Sequence, residues 1–151
     1  MNYPKYSYRS EVLFNYYEFF SEGPKGKIKK IVEYTKTGTE NVYNLGFGDY
    51  DENTKTFSDL SITSNGDSLK VLSTVASTVY AFTLKYPESW ILATGSTSVR
   101  TRLYRMGITN NLLEISKDFV VYGFDSDGNW KNFLVGEDYE AFLITKIENI
   151  K

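Results

Sequence analysis

The stretch between Asp67 and Pro87 is the part of the sequence that most constrains the fold. Apolar residues recur there at helical spacing, at Leu69, Leu72, Val75, Ala76, Val79, Phe82 and Tyr86. This pattern predicts a long helix with Asp67 as its N-cap and with its end before Pro87, which disfavours helical geometry in the preceding residue. No residue from Val71 to Leu84 is charged. We therefore expect this helix to be covered on more than one face, either by a sheet or by another copy of the chain.

The segments on either side of this helix predict a β-rich α+β fold. Before it, four strands are expected over residues 12–20, 27–35, 42–50 and 57–63. After it, the pattern predicts a helix over residues 95–117 that breaks at Gly107, with Asn111 as the cap of a second segment. Strands are expected over residues 90–94, 119–124, 130–134 and 141–147. The expected architecture is a curved antiparallel sheet packed by the long helix, with a second helix that carries arginines. No linker or repeat is evident, so we expect a single domain over residues 1–151.

The composition excludes several kinds of chemistry. The 151 residues include no histidine and no cysteine, which excludes Ser-His-Asp and Cys-His catalysis, thiol redox chemistry and the usual zinc sites. We predict no catalytic residue, metal site or cofactor, and we expect the carboxylates of Asp49, Asp51 and Glu52 to be solvated in a turn. The sequence shows no apolar leader and no apolar run of roughly 20 residues, which predicts a cytoplasmic protein that does not enter a membrane.

The segment from Gly95 to Gly107 has the composition of an anion-binding helix start. Gly95 and the hydroxyl residues Ser96, Thr97 and Ser98 precede Arg100, Arg102 and Arg105. A helix start offers unpaired N–H groups, and arginine binds phosphate or carboxylate with two parallel hydrogen bonds. Val99, Leu103 and Met106 share one side of the helical wheel, and we expect them in the core. The alternative is that the arginines pair with carboxylates of the sheet and only hold the helix in place.

A second candidate site is the basic run that follows the first predicted turn. It comprises Lys25, Lys27, Lys29 and Lys30, next to an aromatic strand that includes Tyr16, Tyr17 and Phe19. Strand alternation places Lys27 and Lys29 on one face and Lys30 on the other. Lysines beside exposed aromatic rings suit a single-stranded nucleic acid, with phosphates on the cations and bases on the rings. The alternatives are an edge strand protected by lysines and a β-rich core that uses the 13 tyrosines and 10 phenylalanines.

Several strings of the sequence resemble a family of small bacterial proteins that is frequent in Bacteroidetes and known only as a domain of unknown function. The strings are GPKGKI at 23–28, YNLGFGD at 43–49, NGDSLKVL at 65–72, VASTV at 75–79, GST at 95–97 and RTRLY at 100–104. Together they cover nearly the whole chain. No established activity comes with that family, so the resemblance implies only an uncharacterised domain.

The first half of the chain is also similar to one repeat of the whirly and Pur-alpha type. The shared features are an aromatic strand, a short turn, a basic strand, two more strands and a long helix. This similarity implies binding of single-stranded nucleic acid and assembly into dimers or larger oligomers. The helix that starts near Gly95 departs from that pattern, and the net charge of −2 gives no general attraction to a polyanion.

Three classes of function follow from these observations. The leading hypothesis is a non-enzymatic module that binds single-stranded nucleic acid or another phosphate-bearing ligand through the lysines, the arginines and the aromatic rings named above. The second is a protein-interaction or homodimerisation module, such as half of a paired regulatory system, and it rests on the uncharged helix. The third is an enzyme that acts on a phosphorylated substrate near Gly95.

Overall fold

A computed structural model describes residues 4–57, 64–95 and 97–150, and it confirms the α+β class. The strands in these ranges are β1 (Arg9–Ser10), β2 (Tyr16–Gly23), β3 (Gly26–Lys36), β4 (Val42–Asp51), β5 (Thr56–Phe57), β6 (Trp90–Thr94), β7 (Phe119–Phe124), β8 (Trp130–Asn132) and β9 (Ala141–Lys146). The helices are α1 (Ser68–Lys85), α2 (Ser98–Asn110) and α3 (Leu112–Asp118), and a 3-10 turn follows at Ile147–Asn149.

The strands form one curved open sheet in the order β1-β2-β3-β4-β6-β9-β7-β8, with β5 paired to β4. All neighbouring strands are antiparallel except β4 and β6, which run parallel. Parallel neighbours need a long crossover connection, and α1 lies in the connection between these two strands. The expected antiparallel sheet therefore contains one parallel pair at its centre.

The helices pack on one face of the sheet, which we call the helix-covered face. The ring of Tyr34 in β3 stacks on Phe82 of α1 with ring centroids 4.3 Å apart. Leu45 of β4 and Ile144 of β9 line the same interior space as residues of all three helices. Side chains that alternate with these along each strand lie on the opposite face, which no helix of the described ranges covers. We call it the helix-free face.

Most of the uncharged stretch of α1 is buried within the chain itself, and Leu84 near its end is exposed. On one flank, the backbone N–H of Tyr6 donates to the Thr74 hydroxyl at 2.8 Å. On another flank, the Tyr80 hydroxyl donates to the carbonyl of Glu114 in α3 at 3.2 Å. The Tyr34 and Thr78 hydroxyls lie 2.8 Å apart where α1 meets the sheet. Cover on more than one face is thus confirmed, and elements of the same chain supply it.

Two of the expected boundaries and one expected helix cap need correction. The first long strand begins at Tyr16 rather than at residue 12, because residues 11–14 form a turn in which the Phe14 N–H donates to the Glu11 carbonyl. The arginine-bearing helix continues through Gly107 and is divided at Asn111, which was expected to cap its second segment. Asp67 occupies the N-cap position of α1, yet its carboxylate accepts from the Ser21 hydroxyl instead of capping the helix. The expected strand over residues 57–63 lies outside the described residues except for Phe57.

Candidate functional site

An open cleft of about 430 Å³ lies where α2 begins, and we call it the α2 cleft. One wall comes from the end of β6 and the first turns of α2, and the other comes from the segment that leads into β9. Its lining residues are Gly95, Thr97, Ser98, Thr101, Arg102, Arg105, Asp138, Tyr139 and Glu140. Three residues predicted from the sequence, Thr97, Arg102 and Arg105, therefore lie in the same cleft.

Close packing accounts for the residues that open α2. A Cβ atom on Gly95 would lie 2.4 Å from the backbone nitrogen of Thr101, so only glycine allows β6 to end this close to the helix. The Thr97 hydroxyl accepts the backbone N–H of Arg100 at 3.2 Å and caps the helix. Ser96 lies outside the described residues. Thr97 thus satisfies one of the backbone N–H groups at the start of α2. The positive charge in the cleft comes from the arginines of this helix.

The three arginines of α2 have three different environments. Arg100 is only 4 % exposed, and its guanidinium donates to the backbone carbonyl of Phe47 in β4. Arg105 pairs with the carboxylate of Asp138 across the cleft. Arg102 is exposed, and within the described ranges it makes no ion pair. Arg100 therefore holds α2 on the sheet, Arg105 bridges the cleft to Asp138, and Arg102 is available to a ligand.

The buried side of α2 differs from the expected one. Val99 is 61 % exposed and Met106 is 37 % exposed, so these two residues are not core residues. The buried residues of the helix are Arg100, Tyr104, Gly107 and Ile108. Gly107 has no side chain to separate the helices, and a Cβ atom there would lie 3.4 Å from Leu72 of α1. Because α1 approaches α2 closely at Gly107, the side of α2 that carries this glycine is buried. Helical spacing alone does not predict this orientation.

The acidic wall of the cleft is held by Tyr139. Its ring packs so closely on β7 that a Cβ atom on Gly123 would lie 2.3 Å from it. Its hydroxyl accepts the backbone N–H of Leu134 at 3.0 Å. The Glu140 N–H donates to the Phe124 carbonyl at 2.7 Å. Asp138 and Glu140 thus flank an anchored residue, and no local motif in the sequence marks them as part of a site.

The lysines of the basic run do not line the α2 cleft, and the sheet divides them between its two faces. Lys30 is 1 % exposed, lies on the helix-covered face and pairs with Asp49 of β4. Asp49 is buried there, so the expectation that its carboxylate is solvated in a turn is wrong. Lys27 and Lys29 lie on the helix-free face, as alternation predicted, and Lys25 is exposed in the β2–β3 turn.

The aromatic residues of β2 are divided between the two faces. Tyr17 and Phe19 are buried in the core, where desolvation raises the pKa of the Tyr17 hydroxyl. Their rings are therefore not presented to a base. Tyr16 is half-buried on the helix-free face, and Phe20 is exposed there. Within β2, only Tyr16 and Phe20 have rings on which a base could stack.

The helix-free face does combine cations with aromatic rings. The Lys27 ammonium lies 4.8 Å from the centroid of the Phe20 ring, and the Lys29 ammonium lies 4.4 Å from that of Tyr50. Glu18 occupies the same face and pairs with Lys29 at 3.0 Å. The sheet thus separates a lysine and aromatic surface from the arginine cleft.

The fold and the cleft define the chain as an α+β domain with a mixed-charge cleft at one end of its sheet. In the described part of the chain no group of carboxylates is arranged to hold a metal ion, and no helix is long and apolar enough to cross a membrane. The chain belongs to a family of unknown function (DUF6934), whose sequence profile matches residues 2–147. No curated protein and no solved structure matches it.

Proposed function

We propose that this chain binds a small phosphate-bearing ligand in the α2 cleft. The observation that carries the proposal is the exposed guanidinium of Arg102, which makes no ion pair in the described ranges and lines the same cleft as Arg105. Two guanidinium groups offer paired donors that match phosphate oxygens. The volume of about 430 Å³ lies within the usual range of roughly 300–1,000 Å³ for small-molecule sites.

The charge distribution favours a small ligand over a polymer. The chain carries a net charge of −2, and Asp138 and Glu140 line the cleft. A long polyanion would meet these carboxylates as well as the arginines, and like charges lower its affinity. The lysines that would extend a phosphate track lie on the helix-free face instead. A single phosphate group can lie next to Arg102 and needs no extended track of cations.

Arg102→Ala is expected to weaken binding of inorganic phosphate by about tenfold or more. Hydrogen bonds to a charged group contribute about 1.5–3 kcal/mol, and about 1.4 kcal/mol corresponds to a factor of ten in affinity. The measurement is an NMR titration that follows the backbone amides of residues 97–102 and 138–140.

Arg9→Ala is the matched control, because Arg9 is an exposed arginine on β1 that pairs with Glu18 on the helix-free face. It removes the same charge and should leave phosphate binding unchanged. Equal binding by Arg102→Ala and the unaltered chain would refute the proposal, as would a titration that shifts no amide of the cleft.

A second candidate function is binding of single-stranded nucleic acid on the helix-free face. The observation in its favour is the placement of Lys27 over Phe20 and of Lys29 over Tyr50. Aromatic rings stack on bases while neighbouring cations bind the phosphates. The similarity of the first half of the sequence to whirly and Pur-alpha repeats also supports it. Glu18 shares this face and reduces its positive charge, which places this candidate second.

For the second candidate, a labelled single-stranded oligonucleotide should bind at low salt and more weakly at higher salt, because binding releases counterions from the phosphates. Substituting both Lys27 and Lys29 by alanine should weaken binding and flatten the salt dependence. Lys117→Ala, which removes an exposed lysine from α3, is the control. Absence of binding at low salt would eliminate this candidate while leaving the cleft proposal intact.

A further inference from the structure

We infer that the α2 cleft selects phosphate esters that also carry an ammonium group. This inference rests on the proposed function and names the class of ligand. Its basis is that side chains of opposite charge line the two walls of the cleft. Arg102 and Arg105 project from α2, whereas Asp138 and Glu140 project from the segment before β9.

A bound phosphate would replace Asp138 as the ion-pair partner of Arg105. The Asp138 side chain is 96 % exposed, so water screens the pair and its contribution to stability is small. A phosphate offers Arg105 a bidentate partner and competes well with this exposed carboxylate. Asp138 then loses its cation. A ligand that brings its own ammonium group replaces the charge that Asp138 has lost.

The charges that line the cleft also favour a ligand with an ammonium group. A phosphate monoester carries a charge of about −1.5 to −2 at neutral pH. It would enter a cleft in which Asp138 and Glu140 face the arginines, and this adds repulsion to any ester without a positive group. An ammonium group on the same ligand converts that repulsion into attraction. The backbone that carries both carboxylates is anchored by the Tyr139 hydroxyl and by the Glu140 N–H.

The test compares two esters of nearly equal size, O-phosphoethanolamine and 2-hydroxyethyl phosphate. They differ in one ammonium group that is replaced by a hydroxyl. Calorimetric titration of the full chain should give about fivefold tighter binding of O-phosphoethanolamine, the effect expected of one exposed ion pair. Tighter or equal binding of 2-hydroxyethyl phosphate would overturn the inference and leave the proposed function standing. Failure of both esters to bind would overturn the proposed function itself.

Two variants test whether the cleft carboxylates recognise the ammonium group. The double variant Asp138→Asn and Glu140→Gln should remove the preference, so that both esters bind equally. Glu137→Gln changes a neighbouring exposed carboxylate outside the cleft lining and should keep the fivefold preference. A preference that survives the double variant would show that these carboxylates do not recognise the ammonium group, and the inference would be wrong.

Discussion

Asp49→Ala is expected to lower the free energy of unfolding by about 3–5 kcal/mol, because it leaves the charge of Lys30 buried without this carboxylate. Lys30 is 1 % exposed, and its ammonium pairs with the Asp49 carboxylate across β3 and β4. A buried ammonium that loses a carboxylate from its surroundings loses compensation for the cost of its desolvation. Urea denaturation at neutral pH, followed by tryptophan fluorescence, measures the loss.

Two further variants make this expectation specific to the buried pair. Replacing both residues with apolar ones, Lys30→Met and Asp49→Leu, should recover most of the lost stability, because it removes both charges together. Asp138→Ala removes a carboxylate from an exposed ion pair and should change stability little. Equal stability of Asp49→Ala and Asp138→Ala would contradict the buried placement of Lys30.

Phe82→Ala is expected to lower the free energy of unfolding by about 3–5 kcal/mol, the usual loss when a buried aromatic side chain is removed from a core. Phe82 is fully buried in α1. Its ring stacks on Tyr34 at 4.3 Å and contacts the rings of Tyr43 and Tyr86 at 5.0 and 4.9 Å. Denaturation midpoints and slopes distinguish a loss of stability from a change in the denatured state.

Leu84→Ala is the matched control on the same helix. Leu84 lies two residues further along α1 but is 77 % exposed. Its truncation should change stability by no more than about 0.5 kcal/mol, as is usual for surface positions. Comparable losses for the two variants would show that α1 presents a different side to the sheet. The pair thus tests the orientation of the helix that the sequence marks most clearly.

Local sequence patterns predicted the elements well where they follow one period. The spacing from Leu69 to Tyr86 predicted α1, which the structure places at Ser68–Lys85. Alternation predicted that Lys27 and Lys29 share a face opposite Lys30, and the pairing of β3 confirms it. Each prediction succeeded because the geometry of a helix or a strand depends on neighbouring residues alone.

The same patterns failed where hydrophobicity alone did not distinguish buried from exposed positions. Residues 16–20 include four aromatic residues, so alternation in hydrophobicity cannot distinguish the buried Tyr17 and Phe19 from the exposed Phe20. In α2, Val99 and Met106 suggested the wrong buried side, because the close approach of Gly107 to α1 set the orientation, whereas Leu103 is half-buried. Burial in these elements was decided by what packs against them.

Only one wall of the candidate site could be predicted from the sequence. Thr97, Arg102 and Arg105 stand close together in the chain and were predicted as ligand contacts. Asp138 lies 33 residues from Arg105, and no motif connects the two. Dimerisation remains a prediction, but the uncharged helix no longer supports it, because Tyr6 and α3 cover that side of α1.

The sequence by itself determined the α+β class, the position of α1 and the alternation along β3, since these depend on backbone geometry and periodicity over a few residues. Tertiary structure decided the parallel pairing of β4 with β6, the burial of Lys30 and Arg100, and the acidic wall opposite Arg102. These features join residues far apart in the chain. They arise only when elements pack so that buried polar groups find partners and apolar surface leaves water.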